Sequence, residues 1–395
     1  MRPPTTVAEL ETWLEDSRHR ERSGDYGDCK LEGVRAVLEE LPAPPRPVTV
    51  AGTKGKGSTV RLMEGVLLAA GRSTVAFASP HVDTVLERWR VDGANAGLAE
   101  LASLVPRVAA AEERAGVVLT YFERCFALVC LLAVERPDAT FLCEVGLGGR
   151  LDCANVLDAR LALVTRLGLD HCHVLGDSLE AIAAEKLAVA RPDAPLLVGP
   201  QSPAGRAAVE AVLPERVTAA WVAPEAGLPT VAMAGAHQRD NAALAIAAAR
   251  ILVPDLADAA VATGLACPGL PGRCELVVLP GGRRVLLDGA HTDESVAATL
   301  AVAHEKLRPG WRLVLGLARD KDVDRVLGVL GGIEPIRCGY GWPRARTEVD
   351  WSDAARAWPW CDRIADALAA CPGVDLCITG SFYLAGEARA ALAGG

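Results

Sequence analysis

A glycine-rich segment with two lysines and two hydroxyl residues is the strongest chemical signal in the sequence. A predicted strand at residues 47–51 runs into it, and a predicted helix at residues 58–70 follows. In such a turn, backbone N–H groups and the helix N-terminus bind phosphate, a lysine neutralises its charge and a hydroxyl can reach Mg²⁺. We therefore predict a nucleotide site formed by Gly52, Thr53, Lys54, Gly55, Lys56, Gly57, Ser58 and Thr59.

The spacing of this segment differs from the common phosphate-loop pattern G-x-x-x-x-G-K-[ST]. Val50 stands where that pattern has its first glycine, and Gly57 separates Lys56 from Ser58. An ordinary glycine-rich turn between a strand and a helix is the alternative interpretation. The choice between them depends on the rest of the chain.

The bulk composition describes an acidic globular protein. Its 395 residues are enough for two or three domains, and 51% are hydrophobic, which is ample for full-sized cores. The net charge of −9 and a pI near 5.4, without a Lys/Arg run, argue against a nucleic-acid partner. A local group of backbone N–H donors can still bind phosphate on an acidic protein.

Neither the N-terminus nor any internal run predicts a membrane partner. The first 14 residues are mixed and charged, unlike a secretory signal, and no apolar run approaches the roughly 18 residues of a membrane span. Twelve cysteines are scattered without a C-x-x-C pair, so we expect reduced thiols and no zinc site. These features predict a cytoplasmic protein.

Short apolar runs alternate with helical patterns along the chain. Strands are predicted at residues 47–51, 74–78, 140–144, 161–165, 195–198, 284–288, 312–316 and 375–379, and helices at 58–70, 100–114, 123–134, 179–190 and 293–307. This alternation indicates an α/β fold with a mostly parallel sheet. Two Pro-Gly pairs at residues 267–273 interrupt it, which predicts a larger domain at 1–268 and a smaller Rossmann-like domain at 269–395. The loop at 337–350 receives no assignment.

Ten short motifs in one order give the chain a family resemblance. Residues 51–58, AGTKGKGS, resemble the nucleotide loop of folylpolyglutamate and dihydrofolate synthases, members of the Mur ligase superfamily. The other motifs that resemble this family lie at residues 78–90, 120–123, 144–152 (EVGLGGRLD), 168–186, 237–242, 271–273, 287–291, 320–322 and 379–381. The resemblance therefore covers nearly the whole chain.

The resemblance implies both a fold and a reaction. Residues 1–268 would form a P-loop-containing, Mur-ligase-like domain that binds ATP and an acid, and residues 269–395 a glutamate-ligase domain. ATP would phosphorylate a carboxylate, and the amine of L-glutamate would attack the acyl phosphate. Three anions must then lie close together, which requires metal ions and cationic side chains. Relatives are commonly monomers, and we expect the same here.

The resemblance also implies the metal site. It makes Glu144 and His171 ligands of Mg²⁺, with Ser79 and Ser58 as further ligands. Glu144 and His171 stand at or just beyond the ends of predicted strands, and the carboxyl ends of parallel strands line one crevice. A capping or core histidine is the alternative for His171.

Lys186 matches a lysine that relatives often carry as a carbamate, which supplies oxygen ligands to a second Mg²⁺. A carbamate requires a neutral amine, and therefore a desolvated lysine or one near other cations. An exposed pair with Glu185 is the alternative. With Lys56 and His171, Lys186 completes the predicted catalytic residues.

Further residues resemble nucleotide and acid contacts. Asn241 would contact the adenine edge, with helix capping as the alternative, and Arg273 and Asp288 would contact the nucleotide. His291 would lie near the nucleotide or glutamate. Because the last three follow the predicted domain boundary, we expect a cleft that closes over ATP. Residues expected to line a pterin pocket are Thr120, Tyr121, Phe122, Glu123, Gly149, Arg150, Leu151 and Asp152.

The sequence leaves three functions open. The first is a ligase that joins glutamate to dihydropteroate, tetrahydrofolate or both. The second is a ligase of the same mechanism acting on a different carboxylic acid. The third is a nucleotide-binding regulator without ligase activity, although such a regulator has no need for the full set of metal and phosphate residues.

Overall fold

The computed structural model describes residues 1–17, 20–23 and 30–393. Contacts within the chain divide it into two units. The N-terminal unit comprises Met1–His81, Val85–Ala232 and Gln238–Cys267. The C-terminal unit comprises Val82–Thr84, Met233–His237 and Pro268–Gly395.

An eight-stranded sheet forms the centre of the N-terminal unit. Its strands are β1 (Val48–Ala51), β2 (Thr74–Phe77), β3 (Trp89–Val91), β4 (Ala94–Asn95), β5 (Thr140–Glu144), β6 (Leu161–Val164), β7 (Leu196–Val198) and β8 (Ala219–Trp221). The spatial order is β4-β3-β2-β5-β1-β6-β7-β8, and only β3 and β4 pair antiparallel to their neighbours. All four residues of β1 are buried, as expected for a parallel strand covered on both faces.

The helices associated with this sheet follow the βαβ pattern. They are α1 (Val7–Glu15), α2 (Arg20–Ser23), α3 (Glu32–Glu39), α4 (Lys56–Ala69), α5 (Leu98–Ala115), α6 (Tyr121–Val134), α7 (Cys172–Leu175), α8 (Leu179–Leu187), α9 (Pro203–Val212), α10 (His237–Leu252) and α11 (Asp258–Leu265). Short 3₁₀ helices lie at Val85–Arg88 and Cys153–Val156. Helix α4, which follows the glycine-rich segment, packs closely on α11. A Cβ atom at Gly264 would overlap the backbone of Val66, and one at Gly65 would meet Gly264 O, so this approach requires glycine.

A six-stranded sheet forms the C-terminal unit. Its strands are β9 (Glu275–Val278), β10 (Arg284–Leu287), β11 (Arg312–Leu315), β12 (Ile336–Cys338), β13 (Trp360–Cys361) and β14 (Leu376–Thr379), in the order β13-β12-β11-β14-β10-β9. Only β9 is antiparallel. The helices are α12 (Asp293–Lys306), α13 (Val323–Gly328), α14 (Asp353–Arg356), α15 (Ile364–Ala370) and α16 (Phe382–Ala393), with a 3₁₀ helix at Glu348–Asp350.

Alternate residues of these strands enter two separate cores. Leu286, Leu313 and Cys377 belong to a cluster that includes α12 residues, whereas Val285 and Val314 belong to one that includes α15 and α16 residues. Both faces of the sheet are thus covered by helices, as a parallel sheet requires.

The predicted α/β fold is confirmed. The predicted strands and helices are all present, with ends that differ by up to three residues. Six of the described strands were not predicted. Strands β3, β4, β8, β12 and β13 have only two or three residues, too few to show a clear periodicity, and β9 has four. In the unassigned loop, β12 reaches Cys338 and the 3₁₀ helix begins at Glu348. No helix among the described residues is long and apolar enough to cross a membrane.

Candidate active site

The glycine-rich segment is held against the chain that follows β6. Thr53 and Lys54 donate their backbone N–H groups to Arg166 O at 3.0 and 3.1 Å, and the Thr53 hydroxyl donates to Gly168 O at 3.1 Å. A Cβ atom at Gly52, which has φ 144°, would overlap Thr165 Oγ1. Only glycine therefore allows the segment to turn this close to its neighbour.

Two lysines of this segment have defined positions. Helix α4 begins at Lys56, after Gly55 in the left-handed region with φ 87°. Lys56 Nζ donates to Gly52 O at 3.2 Å, which folds the ammonium group over the turn. Lys54 Nζ lies 3.0 Å from Asp170 Oδ2. The segment thus presents cationic side chains at a helix N-terminus, the arrangement that binds phosphate.

Helix α10 supplies two amide side chains to the same segment. Gln238 Nε2 donates to Ser58 Oγ at 3.4 Å, and Asn241 Nδ2 donates to Gln238 Oε1 at 2.9 Å. A Cβ atom at Gly55 would overlap Asn241 Oδ1, so the Asn241 amide lies directly against the turn. Ser58 and Thr59 are both buried, with 5% and 0% exposure, so burial does not separate them as metal ligands.

A buried carboxylate lies beside the strand that leads into the glycine-rich segment. Strands β1 and β5 pair with Val50 opposite Glu144, and Glu144 is only 2% exposed. The backbone N–H of Ser79 donates to Glu144 Oε2 at 3.1 Å, which brings two predicted metal ligands together. Carboxylate and hydroxyl oxygens suit a hard divalent cation such as Mg²⁺.

The predicted metal ligands need further oxygen donors to complete the coordination of an ion. Among the described residues, no group of three or more His, Cys, Asp or Glu side chains is arranged to hold a metal ion. Mg²⁺ in proteins commonly uses one or two carboxylates and takes its other ligands from water and phosphate. The residues present therefore fit an ion that binds together with nucleotide phosphate.

His171 precedes the short helix α7 in the left-handed conformation, with φ 50°. Its side chain is 30% exposed, and Nε2 lies 3.9 Å from Asp170 Oδ1. The residue is thus an accessible imidazole next to the carboxylate that pairs with Lys54, rather than a core histidine.

Asp152 organises the turn that follows Glu144. Its Oδ2 atom accepts the N–H groups of Gly146 and Leu147 at 3.0 Å each, and Oδ1 accepts that of Ala154 at 3.0 Å. Burial raises the pKa of this carboxyl to about 6, although the three N–H donors act in the opposite direction. A predicted acid contact thus also shapes the loop after a predicted metal ligand.

Lys186 is buried near the end of α8, with 4% exposure. Burial, and after it the positive charge of Lys56, lowers the pKa of its ammonium group to about 7. An exposed pair with Glu185 is therefore wrong as an interpretation. Glu185 Oε1 instead accepts from Arg150 Nε at 2.8 Å, and Gly149 packs so closely on Glu185 O that a Cβ atom would not fit.

Known proteins resemble the chain over most of its length. No protein-family model matches it. It is 33% identical over 357 residues to the dihydrofolate synthase/folylpolyglutamate synthase of Escherichia coli, covering 84% of this chain and 82% of that protein. It is 34% identical over 337 residues to a probable bifunctional folylpolyglutamate synthase/dihydropteroate synthase of Haloferax volcanii, covering 77% of this chain but only 40% of that longer protein.

The chain belongs to the dihydrofolate synthase/folylpolyglutamate synthase family. Solved structures agree. E. coli FolC in complex with DHPP and ADP aligns with a TM-score of 0.87 and 27% identity, covering 100% of this chain and 99% of that one. A bifunctional folylpolyglutamate synthase/dihydrofolate synthase from Yersinia pestis, complexed with AMPPNP and Mn, aligns with a TM-score of 0.83 and 26% identity, covering 100% and 99%.

The segment that resembles the family's T-[FY]-F-E motif begins helix α6. Thr120 Oγ1 accepts the N–H of Glu123 at 3.5 Å, and Glu123 Oε2 accepts that of Thr120 at 2.8 Å, which is a capping box. Phe122 packs on the backbone of Gly146, where a Cβ atom would overlap its ring. Tyr121 is buried, and Leu151 is 39% exposed. The S/T-x-x-E pattern was visible in the sequence, but its capping role was missed.

Three predicted nucleotide contacts lie in the C-terminal unit. Asp288 Oδ2 accepts the N–H of Cys274 at 2.6 Å, and Oδ1 accepts the Ala290 N–H and the Thr299 hydroxyl at 2.8 and 2.9 Å. The Arg273 guanidinium lies 3.9 Å from the centre of the Phe382 ring. His291 also packs on Phe382, edge to face, and its Nδ1 lies 2.8 Å from Gly289 O.

Two contributors to the site were not predicted individually. Asp170, which pairs with Lys54, and Gln238, which contacts Ser58, both lie inside motifs that resemble the family. Neither residue type signals its role alone, because each contact joins segments more than 100 residues apart. Only the family motifs could have drawn attention to them.

Proposed function

We propose that this chain is an ATP- and Mg²⁺-dependent ligase that joins L-glutamate to the carboxylate of dihydropteroate, tetrahydrofolate or both. The family assignment supports the ligase class. The observation that carries the proposal is the register of β1 and β5. It sets the buried Glu144 carboxylate beside the strand that enters the lysine-bearing glycine-rich segment.

The chemistry follows from the poor reactivity of a carboxylate. Oxide is a poor leaving group, so the γ-phosphoryl group of ATP is transferred to a carboxylate oxygen and ADP leaves. The glutamate amine then attacks the acyl carbon, forms the amide, loses a proton and displaces phosphate. Backbone N–H groups of residues 52–58 and the ammonium group of Lys56 bind the phosphates and offset their charge during transfer.

Glu144, Ser58, Ser79 and His171 are the residues we assign to the metal site. Mg²⁺ bound there would neutralise phosphate oxygens and orient the transferred group. Glu144 needs a fixed position for this role, which its strand and the Ser79 N–H provide. Asp152 holds the following turn and so fixes the direction in which the chain leaves Glu144.

Lys186 is assigned as a carbamate. Its uncharged amine adds CO₂ and releases one proton, which converts a buried cation into an anion with two oxygen atoms. Such a group would serve a second Mg²⁺ ion. The lowered pKa supports this assignment, because a large share of the amine is uncharged near neutral pH.

We further propose that residues 1–268 act as the ATP- and acid-binding domain and residues 269–395 as the glutamate-ligase domain. Thr120–Glu123 and residues 149–152 would contact the acid, Asn241 the adenine, and Arg273, Asp288 and His291 the nucleotide or glutamate. A cytoplasmic location suits an ATP-dependent enzyme whose eleven described cysteines are free thiols.

Phosphate release measures the proposed reaction directly. The purified chain receives ATP, Mg²⁺ and L-glutamate, with dihydropteroate or tetrahydrofolate in separate reactions, and the product is identified by mass spectrometry. We expect release that requires both glutamate and one of the two acids. Omission of glutamate, and replacement of glutamate by aspartate, are the matched controls.

Each other result rejects part of the proposal. Release with a different carboxylic acid, but with neither pterin compound, would keep the ligase mechanism and reject the folate substrate. Binding of ATP without acid-dependent release for any carboxylate would identify a regulator without ligase activity.

A further inference from the structure

A buried carboxylate on α5 contacts both ends of the segment at residues 120–123. Glu112 Oε1 accepts the backbone N–H of Leu119 at 2.8 Å, immediately before this segment. The same oxygen accepts Arg124 Nε at 2.9 Å, and Oε2 accepts Arg124 Nη2 at 3.1 Å, immediately after it. Glu112 is 8% exposed. One carboxylate therefore brackets the four residues.

Arg124 connects this bracket to a third helix. Its Nη1 atom donates to Trp13 O at 2.5 Å and to Asp16 O at 3.3 Å, the carbonyl groups at the end of α1. The guanidinium also lies 4.8 Å from the centre of the Trp13 ring. Arg124 is 5% exposed. It thus satisfies the C-terminal carbonyls of α1, which lack partners within their own helix.

The bracketed segment has a contact that makes its position important. Phe122 lies against the backbone of Gly146, two residues beyond Glu144, without room for a Cβ atom between them. The capping box accounts for the start of α6, but it lies within residues 120–123 and cannot hold them in place against α5. The bidentate pair between Glu112 and Arg124 does so, since its planar geometry fixes both distance and orientation.

We propose that Glu112 and Arg124 are positioning residues for binding of the acid substrate. This inference rests on the proposed function, because it takes residues 120–123 as acid contacts. The pair holds these residues and the Phe122 ring against the turn after Glu144. Its loss would raise the KM for the acid without an equal change in the KM for ATP.

The test uses a neutral double variant, Glu112→Met with Arg124→Met, in the full chain, which also removes the acceptor of the Leu119 N–H. Removing one partner alone would leave a buried charge without its counter-ion, and the protein could then fail to fold. The matched control is Asp375→Leu with Arg308→Met. There too a buried carboxylate accepts backbone N–H groups and two guanidinium nitrogens, but it lies in the C-terminal unit.

The double variant at Glu112 and Arg124 should raise the KM for the acid about tenfold, because small displacements of binding groups have large kinetic costs. The KM for ATP and for glutamate should change less than about twofold on the same reasoning. The control should leave all three KM values near those of the unaltered chain. Arg124→Lys alone should lose less of the acid affinity than the double variant, because it keeps the charge. It should not reach the affinity of the unaltered chain, because lysine cannot form the bidentate pair.

Hydrogen exchange provides a readout that needs no turnover. The amide of Leu119 should exchange faster in the Glu112/Arg124 variant than in the unaltered chain. In the control its exchange rate should equal that of the unaltered chain. An acid KM equal to that of the unaltered chain, or unchanged exchange at Leu119, would overturn the inference. A lack of turnover by the unaltered chain with either pterin acid would instead reject the proposed function, and the two failures are therefore distinct.

Discussion

Asp152 and Asp375 are both buried carboxylates that accept backbone N–H groups, yet their pKa values shift in opposite directions. Asp152, in the N-terminal unit, accepts three backbone N–H groups, and burial raises its pKa to about 6. Asp375, in the C-terminal unit, accepts the N–H groups of Arg284 and Arg308. The Arg308 guanidinium also donates to both its oxygens and holds the pKa of that carboxyl well below its usual range.

The largest influence differs between the two groups: it is burial for Asp152 and the Arg308 guanidinium for Asp375. An arginine side chain compensates Asp375, whereas three backbone N–H groups and the charge of Lys56 offset the burial of Asp152 only in part. Lys186 shows the same pattern as Asp152, because burial lowers its pKa to about 7. Groups with such shifts cluster where proteins bind and react. These shifts make the N-terminal region the stronger candidate for ligand binding.

Lys56→Ala should give the largest effect and sharpen this comparison. Loss of the ammonium group should lower turnover about a thousandfold, because it removes a charge aimed at the transferred phosphate. The fold should persist, since its Nζ atom contacts a backbone carbonyl at the surface of the turn. Acid-dependent phosphate release measures the turnover, and thermal unfolding measures whether the fold persists.

Lys306→Ala is the control for Lys56→Ala, because the Lys306 side chain forms an exposed ion pair with Glu305. It should be fully active. Comparable turnover in both variants would show that the glycine-rich segment does not use Lys56 for phosphate binding.

The two carboxylates should give opposite stability profiles with pH. Asp152 has a raised folded pKa, so its stabilising contribution is complete below about 3.8 and is lost as pH rises through about 6. The loss amounts to about 3 kcal/mol at 1.36 kcal/mol per pKa unit. Asp152→Asn should remove this dependence. Denaturant unfolding between pH 4 and 7 measures it.

Asp375 has a lowered folded pKa, so its contribution is present above the unfolded value and is lost as pH falls through the folded value. Asp375→Ala should cost about 2 kcal/mol throughout pH 5–7, because two buried N–H groups lose their acceptor. The comparison would fail if both variants shifted stability by a constant amount over this range.

Lys186→Ala should lower turnover about a hundredfold, because it removes ligands to a metal ion. Acetate or another short carboxylate should restore part of the activity by supplying the missing oxygens. Since carbamate formation requires the uncharged amine, the modified fraction should fall as pH falls below about 7. Mass spectrometry of the unaltered chain under added bicarbonate should show one extra CO₂. Full activity of Lys186→Ala without added carboxylate would exclude the carbamate.

The different environments of these groups explain what the sequence could reveal. The glycine-rich segment was predictable because residues 47–59 are contiguous, and its function depends on local geometry. The α/β fold was predictable from strand and helix patterns. The burial of Lys186 could be expected only through the family resemblance, because it depends on Gly149 packing on α8 from a distant part of the chain. The bracket formed by Glu112 and Arg124 was hidden, since ordinary charged residues on two helices carry no signal of their partner.

Glu144→Gln gives the smallest expected effect and tests the region most specifically. The amide keeps the size of the side chain and an oxygen that can accept the Ser79 N–H, so the turn should stay in place. The lost negative charge should raise the Mg²⁺ concentration needed for half-maximal activity about tenfold. Turnover at saturating Mg²⁺ should recover most of its value. A magnesium titration measures the shift. The control is Glu294→Gln, which removes the same negative charge from the first turn of α12. Coincident titrations would remove Glu144 from the metal site, and this buried carboxylate would then need another role.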